Sequence, residues 1–274
     1  MKRVVRILAI GDVVGEEAAQ WLACRLPQLR RAELLDWVIV NAENCTVTGP
    51  SPMNGFGLSE SVVLSLLAAG ADVVTGGNHS WDGPDVAAAL ALSRVVRPWN
   101  VSSSLGRGYV TVERDGVRLT VVNLLSPTAQ LPDMKAPMPE PIWDAWMRLR
   151  SELPKSEIVV VDLHGESPWE KASFATAVDG EVTAVVGTHT HDPSLRGHLL
   201  PQGTAYVSEL GMTGRLGFTG GGFDPAHFAA DMRGEELHDL APFALATGEM
   251  TVGAMLIEVG ADGRAVAVER LQIP

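Results

Sequence analysis

Short apolar runs alternate along the chain with stretches of helical periodicity. The apolar runs predict buried strands, each of which ends at a polar or glycine-rich segment. These strands cover residues 6–10, 37–40, 72–75, 158–161 and 182–186. The helical patterns fall between them, over residues 16–34, 58–69, 84–92 and 139–153. Strand–loop–helix repetition of this kind predicts a parallel sheet with helices on its faces.

Two predicted hairpins and three irregular segments complete the outline. The hairpin strands cover residues 109–114 with 117–124 and residues 251–259 with 265–273. Asp115-Gly116 joins the first pair, and this dipeptide favours a tight turn between strands. Loops or weakly helical structure are predicted for residues 46–57, 211–222 and 224–245. No repeat or linker interrupts the pattern, so we expect a single domain over residues 1–274.

The net charge of the chain indicates which classes of binding partner are expected. The chain has 274 residues, with 21 lysines and arginines against 33 aspartates and glutamates, and a net charge of −12. Hydrophobic residues make up 46% of it, which is enough to bury a core and excludes disorder as the main state. Duplex nucleic acid is not expected as a partner, because its binding depends on basic residues that neutralise phosphates.

The cysteines and the apolar runs indicate the cellular compartment in which the protein is expected. Cys24 and Cys45 form no Cys-x-x-Cys motif, so a reducing compartment is expected. No stretch approaches the roughly 18 apolar residues of a membrane span. The first apolar run is short and Asp12 interrupts it, which does not fit a signal peptide. We therefore expect a cytoplasmic protein with no membrane partner.

Polar side chains follow five of the predicted strands, at the point where each strand ends. They are Asp12, Glu43, Asn44, Asn78, His79, His164, His189 and His191. The carboxyl ends of parallel strands lie along one edge of a sheet, where ligands bind, so these side chains should converge. Each motif alone also fits a turn or a structural side chain, and it is their conjunction that favours a functional site.

The chemistry of these side chains favours a metal centre. Their carboxylate, amide and imidazole donors suit Mn, Fe, Zn or Ni, and the set is too rich in nitrogen for Ca or Mg. Two carboxylates and four imidazoles also exceed the four ligands of one tetrahedral zinc. The set fits two metal ions that share one carboxylate and act together on a phosphoryl group. His189 and His191 would face opposite sides of a strand, so a bend must follow the strand if each is to serve a different metal.

Several other side chains near these motifs keep two interpretations. Cys45 follows Asn44 and fits a soft metal ligand or, with better support, a small buried thiol. Trp169 lies in the segment after His164 and would either stack on a base or pack against the protein. The histidines away from strand ends are interpreted as surface or packing residues, and they are His198, His227 and His238.

Six motifs occur in order along the chain. They are Gly11-Asp12-Val13-Val14-Gly15, Asn41-Ala42-Glu43-Asn44, Gly77-Asn78-His79-Ser80-Trp81-Asp82, Asp162-Leu163-His164, Gly187-Thr188-His189-Thr190-His191 and Gly211-Met212-Thr213-Gly214. From about residue 4 to residue 214 the chain thereby resembles the bacterial YmdB-type branch of the calcineurin-like metallophosphoesterases. Gly-Asn-His-x-Trp-Asp and Gly-Met-Thr-Gly are specific to this branch. The resemblance implies an α/β fold of layered sheets and flanking helices, with a metal site at the carboxyl ends of strands.

The resemblance also implies an activity, a cyclic-nucleotide phosphodiesterase with two divalent transition metals per chain, iron or manganese. It places at the first metal Asp12, Glu43, Asn44 and His191. It places at the second metal Glu43, Asn78, His164 and His189, so that Glu43 bridges. His79 is then the general acid that protonates the leaving oxygen, and a hydroxide between the metals is the nucleophile. Substrate-binding residues are not implied, and a homo-oligomer is left open because relatives often assemble.

The residues that the resemblance places at the metals are all kept in this sequence, and the differences from the family lie in the segments around the site. The departures lie in residues 46–57, 165–171 and 192–198, and at Glu209, where the family usually has Asp. We therefore expect a phosphodiesterase for a small cyclic nucleotide, with 2′,3′-cyclic nucleotides favoured and substrate choice altered. The alternatives are a phosphatase or phosphodiesterase for another small phosphoester, a non-catalytic metal-bearing nucleotide sensor, and a structural metal centre.

A metal centre of this kind makes the site locally positive, although the net charge of the chain is negative. Two divalent ions, less the charges of Asp12, Glu43 and one hydroxide, leave a local charge of about +1, which attracts a phosphodiester. An acidic surface still disfavours a long nucleic acid chain, which needs an extended basic groove. The expected substrate is therefore small enough to reach the metals without lying along the surface.

Overall fold

Strands and helices alternate through the chain in the computed structural model, which describes residues 4–51, 54–130, 134–153, 158–218, 221–235, 244–271 and 273. The strands are β1 (Val5–Ile10), β2 (Asp12–Val13), β3 (Trp37–Asn41), β4 (Thr46–Ser51), β5 (Asn54–Gly57), β6 (Val73–Thr75), β7 (Val95–Val96), β8 (Tyr109–Arg114), β9 (Val117–Leu125), β10 (Ile158–His164), β11 (Ala184–Thr188), β12 (His198–Leu199), β13 (Ala205–Val207), β14 (Met212–Arg215), β15 (Met250–Val252), β16 (Ala254–Val259) and β17 (Ala265–Arg270). The helices are α1 (Glu16–Ala32), α2 (Glu60–Ala69), α3 (Val86–Ala91), α4 (Ile142–Glu152), α5 (Pro168–Ala177) and α6 (Ala226–Met232).

Two six-stranded sheets form the body of the protein. The first has the order β17-β16-β1-β3-β6-β7, and its strands β1, β3, β6 and β7 are parallel. The second has the order β12-β13-β11-β10-β9-β8, and its strands β9, β10, β11 and β13 are parallel. Antiparallel strands flank the parallel set in each sheet, namely β16 and β17 in the first and β8 and β12 in the second.

The two sheets pack face to face, and helices cover their outer faces. Successive side chains of a strand point to opposite faces, and β1 shows both environments. Ile7 lies in a core cluster with Val160 of the second sheet, whereas Leu8 packs with Leu26 of α1. On the other side of the molecule, Trp146 of α4 packs against the outer face of the second sheet. These layers confirm the expected α/β architecture of layered sheets with flanking helices.

The parallel strands fall into two sheets rather than the single sheet predicted from the strand–helix alternation. Central strands of both sheets are buried on both faces, and they therefore show the same unbroken apolar runs. Such a run does not encode which sheet its strand joins. Both predicted hairpins are confirmed, β8 with β9 and β16 with β17.

Two segments predicted as loops contain regular structure, and so does the segment that follows His164. In the segment 46–57, the described residues 46–51 and 54–57 pair as strands β4 and β5, and residues 211–222 contain β14, which pairs with β2 and β15. Residues 165–171 include the first turn of α5, where the Ser167 hydroxyl accepts a hydrogen bond from the Glu170 N–H. Strand pairing uses backbone groups, so a glycine-rich composition does not prevent it.

The predicted helices are present with shorter ends, and α6 lies within the segment 224–245 that was expected to be irregular or weakly helical. Residues 236–243 of that segment lie outside the described part of the chain. Among the helices that the structure describes, none is long and apolar enough to cross a membrane.

Candidate metal centre

The strand-end side chains converge where the carboxyl ends of the two parallel strand sets meet. The first sheet contributes residues that follow β1, β3 and β6, and the second contributes residues at the ends of β10 and β11. Two groups of three residues each bring their donor atoms within 4.8 Å of one another. The groups are Glu43, His164 and His189, and Asp12, Glu43 and His191. Glu43 is therefore common to both.

His164 shows how the second sheet orients a donor. It is the last residue of β10 and fully buried, and its Nδ1 lies 2.8 Å from the Thr188 hydroxyl. Thr188 donates in turn to Asp162 at 2.7 Å, so the Thr188 oxygen accepts the proton of Nδ1. Nε2 then carries no proton and lies 2.8 Å from Asn78 Oδ1 and 3.2 Å from Glu43 Oε2. Burial lowers the pKa of His164 to about 4, in keeping with a neutral imidazole.

His191 is oriented in the same way by a backbone group. Its Nδ1 lies 2.8 Å from the carbonyl oxygen of Gly221, which can only accept, so Nδ1 carries the proton. Nε2 faces Asn44 Oδ1 at 3.1 Å and Asp12 Oδ2 at 3.8 Å. Burial lowers the pKa of His191 as well, which favours the neutral imidazole.

The bend expected after β11 is present at His189 and His191. Both residues take positive φ angles, 105° and 63°, a region that non-glycine residues rarely enter. The His189 N–H donates to Asp12 Oδ2 at 2.8 Å, which ties the bend to β2. His189 Nε2 lies 3.1 Å from the Glu166 carboxylate, and its Nδ1 lies 3.1 Å from His164 Nε2. The bend thus lets two histidines two residues apart reach different donor groups.

A buried ion pair supports this bend. Glu209 Oε2 accepts hydrogen bonds from the N–H and the hydroxyl of Thr190, at 3.1 and 2.9 Å. The same oxygen lies 3.0 Å from Lys171 Nζ, and Lys171 also donates to the Thr188 carbonyl at 2.8 Å. Lys171 is almost fully buried, which is rare for lysine unless it is paired. Glu209 therefore holds the backbone between the two histidines.

Asp12 and Glu43 place two carboxylates in the same buried space. Burial first, and then the nearby Glu43 carboxylate, raise the pKa of Asp12. Burial opposes a charge on Glu43, but His164, His79 and His189, in their protonated forms, together outweigh it and lower the pKa of Glu43. Asp12 Oδ1 is buried and has no hydrogen-bond partner in the described part of the chain. Gly77 permits the close packing, because a Cβ there would lie 2.2 Å from Glu43 Oε2.

The donor set fits metal ions. The three imidazoles each anchor an outer N–H and turn a bare nitrogen inward, as metal-binding histidines do. Two ligands at right angles around one ion, each about 2.1 Å from it, lie about 3 Å apart. His164 Nε2 lies 2.8, 3.1 and 3.2 Å from donors of Asn78, His189 and Glu43, which matches that spacing. Bare nitrogens and oxygens repel at such distances without a cation, so the geometry suits one. The assignment of individual ligands to each ion stays a prediction.

His79 lies beside these groups but is held differently. Its backbone N–H lies 3.2 Å from Glu43 Oε2, and its Nδ1 lies 2.9 Å from Asp82 Oδ2. Asp82 is buried, and an ionised carboxylate can only accept, so Nδ1 carries the proton of that hydrogen bond. Nε2 is the nitrogen left for a molecule in the cavity that His79 lines.

A cavity of about 420 Å³ opens beside the donors, within the range of about 300–1,000 Å³ typical of small-molecule sites. Its polar lining includes Asn78, His79, Thr128, Glu166 and His189, and its apolar lining includes Phe56, Phe223 and Phe228. Two of the divergent segments therefore reach it, 46–57 through Phe56 and 165–171 through Glu166. Segment 192–198 contributes none of its described lining. A second cavity, of about 440 Å³, lies away from the donors around Trp37 and Arg114.

Sequence reasoning missed the residue that joins the two sheets behind the donors. Asp162 is buried and accepts hydrogen bonds from Asn41 and Thr75 of the first sheet and from Thr188 of the second. Burial raises the pKa of Asp162 to about 6, against the effect of these hydrogen bonds. A signal was available, because Asp162 stands two residues before His164 and so faces the same side of β10.

The remaining sequence candidates lie apart from the donors. Trp169 is 83% exposed, so it does not pack against the protein. It is also absent from the described lining of the cavity. His198 is exposed and stacks on Tyr206, as expected of a surface residue. The side chain of His227, and His238 as a whole, lie outside the described part of the structure.

Cys45 behaves as a buried thiol rather than as a ligand. Its Sγ lies 3.4 Å from the Gly57 carbonyl, and burial raises its pKa to about 12. We expect one rapidly reacting thiol per native chain with a disulfide reagent such as Ellman's reagent, because Cys24 is exposed. Both thiols should react after denaturation. Rapid reaction of native Cys24→Ser protein would contradict this assignment.

Comparisons with known proteins agree with the geometry. The sequence profile described as YmdB-like protein matches residues 8–271. A 2′,3′-cyclic-nucleotide 2′-phosphodiesterase of Bacillus subtilis is 34% identical over 212 residues, which cover 77% of this chain and 76% of that protein. A crystal structure of a novel phosphatase from Mycoplasma pneumoniae superposes with a TM-score of 0.85 at 29% identity, over 100% of this chain and 94% of that one. A hypothetical protein from Thermus thermophilus superposes with a TM-score of 0.82 at 32% identity, over 98% of this chain and 100% of that one.

Proposed function

The chain belongs to the YmdB-like protein family, and from this premise we propose that it is a metal-dependent phosphodiesterase for small cyclic nucleotides, with 2′,3′-cyclic nucleotides as favoured substrates. The observation that carries the proposal is the set of three imidazoles that turn bare nitrogens toward the shared carboxylate Glu43. The name of the Bacillus subtilis relative supports the substrate class.

Two ions, iron or manganese, are proposed to be held by the two donor groups. The ligands proposed for the first ion are Asp12, Glu43, Asn44 and His191. The ligands proposed for the second ion are Glu43, Asn78, His164 and His189. When bound, such a pair supplies positive charge for the phosphoryl oxygens and lowers the pKa of a water molecule. Thr188, Glu166 and the Gly221 carbonyl keep the imidazoles in the tautomer that binds metal.

His79 is proposed to deliver a proton to the leaving oxygen. Asp82 holds Nδ1 and thereby aligns the ring, which leaves Nε2 as the nitrogen that would donate to the leaving oxygen. The neighbouring Glu43 accepts from the His79 N–H, so the backbone of His79 is tied to the metal-binding residues. A protein that only senses nucleotides has no need of such a donor, which favours the enzyme.

The proposal is tested with protein loaded with manganese or iron and a panel of 2′,3′-cyclic nucleotides, 3′,5′-cyclic nucleotides, nucleoside monophosphates and simple phosphodiesters. We expect preferred turnover of the 2′,3′-cyclic nucleotides, and loss of that turnover after treatment with a chelator. Preferred turnover of monophosphates would assign a phosphatase instead. Nucleotide binding without turnover of any compound would assign a sensor.

Thr188→Val should weaken manganese binding by about 10–100-fold, the usual effect of losing an outer hydrogen bond to a metal-binding histidine. Valine has the same shape but cannot accept the proton of His164 Nδ1, so the tautomer is no longer held. The measurement is a competition titration with a fluorescent chelator. Thr188→Ser should keep most of the affinity, and Thr111→Val, on the distant strand β8, is the matched control. Unchanged affinity in Thr188→Val would remove this role.

A further inference from the structure

Three phenylalanine rings line the cavity that holds the donor groups, and we call Phe56, Phe223 and Phe228 the aromatic wall. The mechanism proposed above does not use them. Phe56 is buried, whereas Phe228 is half exposed in the cavity lining. The wall therefore presents an apolar aromatic surface within a site whose other lining is largely polar and charged.

The rings of the wall run from the proposed proton donor to a proposed metal ligand. Phe56 packs on His79 with ring centroids 5.1 Å apart. Phe223 stacks on Phe56 at 5.4 Å with an angle of 7° between the planes. Phe223 also stacks on His191 at 5.7 Å and 27°. A substrate whose phosphorus lies between His79 and the metal-binding residues therefore has aromatic surface directly beside it.

We propose that the aromatic wall is the subsite for the nucleobase of the substrate, with Phe228 as the ring that stacks on it. The inference rests on the proposed function, because it assigns a place to the base of a cyclic nucleotide. Any of the planar bases can stack on an aromatic side chain, since every base has a π-face. The wall thus selects nucleotides over phosphodiesters without a base, and it discriminates weakly among the bases.

Two separate parts of the chain build this subsite, and one of them, segment 46–57, is expected to differ from the family. Phe56 lies on β5, within the segment 46–57, whereas Phe223 and Phe228 follow the glycine-rich segment 211–222, with Phe228 on α6. The residues proposed to bind metal lie in motifs that resemble the family, whereas the segment that carries Phe56 is expected to depart from it. Substrate choice is therefore decided in the wall, separately from the chemistry at the metals.

The test compares two substrates that differ only in the base. One is 2′,3′-cyclic AMP and the other is the 2′,3′-cyclic phosphate of methyl riboside. Phe228→Ala should lower the ratio of kcat/KM for the nucleotide over the abasic compound by about tenfold, through KM, the effect expected for loss of one stacking ring. Phe228→Trp should keep the ratio. Phe218→Ala is the matched control, because Phe218 is 98% exposed and lies outside the described lining of the cavity.

A binding measurement separates the wall from the activity. Calorimetry with manganese-loaded protein compares AMP with ribose 5-phosphate, which lacks the base, in the wild type and in Phe228→Ala. Tighter binding of AMP that depends on Phe228 supports the wall even if no cyclic nucleotide is hydrolysed, in which case only the proposed function fails. An unchanged substrate ratio in an active Phe228→Ala enzyme overturns the wall and leaves the proposed function standing. Equal loss for the nucleotide and the abasic compound also overturns it.

Discussion

Glu43→Ala should remove both metal ions at once and lower turnover by more than about 10³-fold, several kcal/mol of transition-state stabilisation. The physical reason is that Glu43 belongs to both donor groups and lies 3.2 Å from the bare nitrogen of His164. Loss of this carboxylate also leaves the imidazoles without the anion between them. The measurement is the metal content of the purified protein after it has been loaded with manganese and desalted.

His191→Ala is the matched comparison for Glu43→Ala, because His191 belongs to one donor group only. It should keep close to one ion per chain. Glu43→Gln preserves the shape of the side chain and shows whether loss of metal follows from the charge or from disrupted packing. If Glu43→Ala retained one ion, the carboxylate would belong to a single metal and the bridging role would be withdrawn.

His79→Ala should retain the metals and lose turnover by about 10²–10⁴-fold, the usual contribution of a positioned general acid. His79 belongs to neither donor group, and its Nδ1 is held by Asp82, so we expect the ring to serve proton transfer rather than metal binding. The measurement is kcat on a 2′,3′-cyclic nucleotide. A phosphodiester with a p-nitrophenolate leaving group should lose much less, because that group departs without a proton.

His198→Ala is the control for His79→Ala, since His198 is exposed and away from the donor groups. Its turnover should equal that of the wild type. Equal losses of His79→Ala on both leaving groups would show that His79 acts in binding instead of proton transfer. A loss of metal in His79→Ala would move it into the metal-binding set.

The positions of the strands along the chain could be predicted from the sequence, because a buried strand has an unbroken run of apolar residues. Each run in the central region is followed by a polar residue at its carboxyl end, as at Ile10 before Asp12 and at Val40 before Glu43. These residues interrupt an apolar pattern at the one edge of a parallel sheet where ligands bind. The eight candidate side chains were therefore visible before any contact was known.

The division into two sheets could not be predicted from the same signal. β3 and β10 are both buried on two faces, so their sequences are alike although they lie in different sheets. Strands within glycine-rich segments, such as β14, were missed for a different reason, since backbone pairing does not depend on a periodic pattern of side chains.

By itself the sequence determined the kinds of donor, their placement at strand ends and the family to which they belong. The tertiary structure decided which other groups form hydrogen bonds to these donors and orient them. Asp162 joins Asn41 and Thr188, which are far apart along the chain, and Glu166 and the Gly221 carbonyl set the tautomers of His189 and His191. A hydrogen bond depends on the direction of two side chains after the sheets have packed, and no local pattern encodes that direction. The aromatic wall also depends on the tertiary structure, because its three rings line one cavity only once β5, Phe223 and α6 lie beside it.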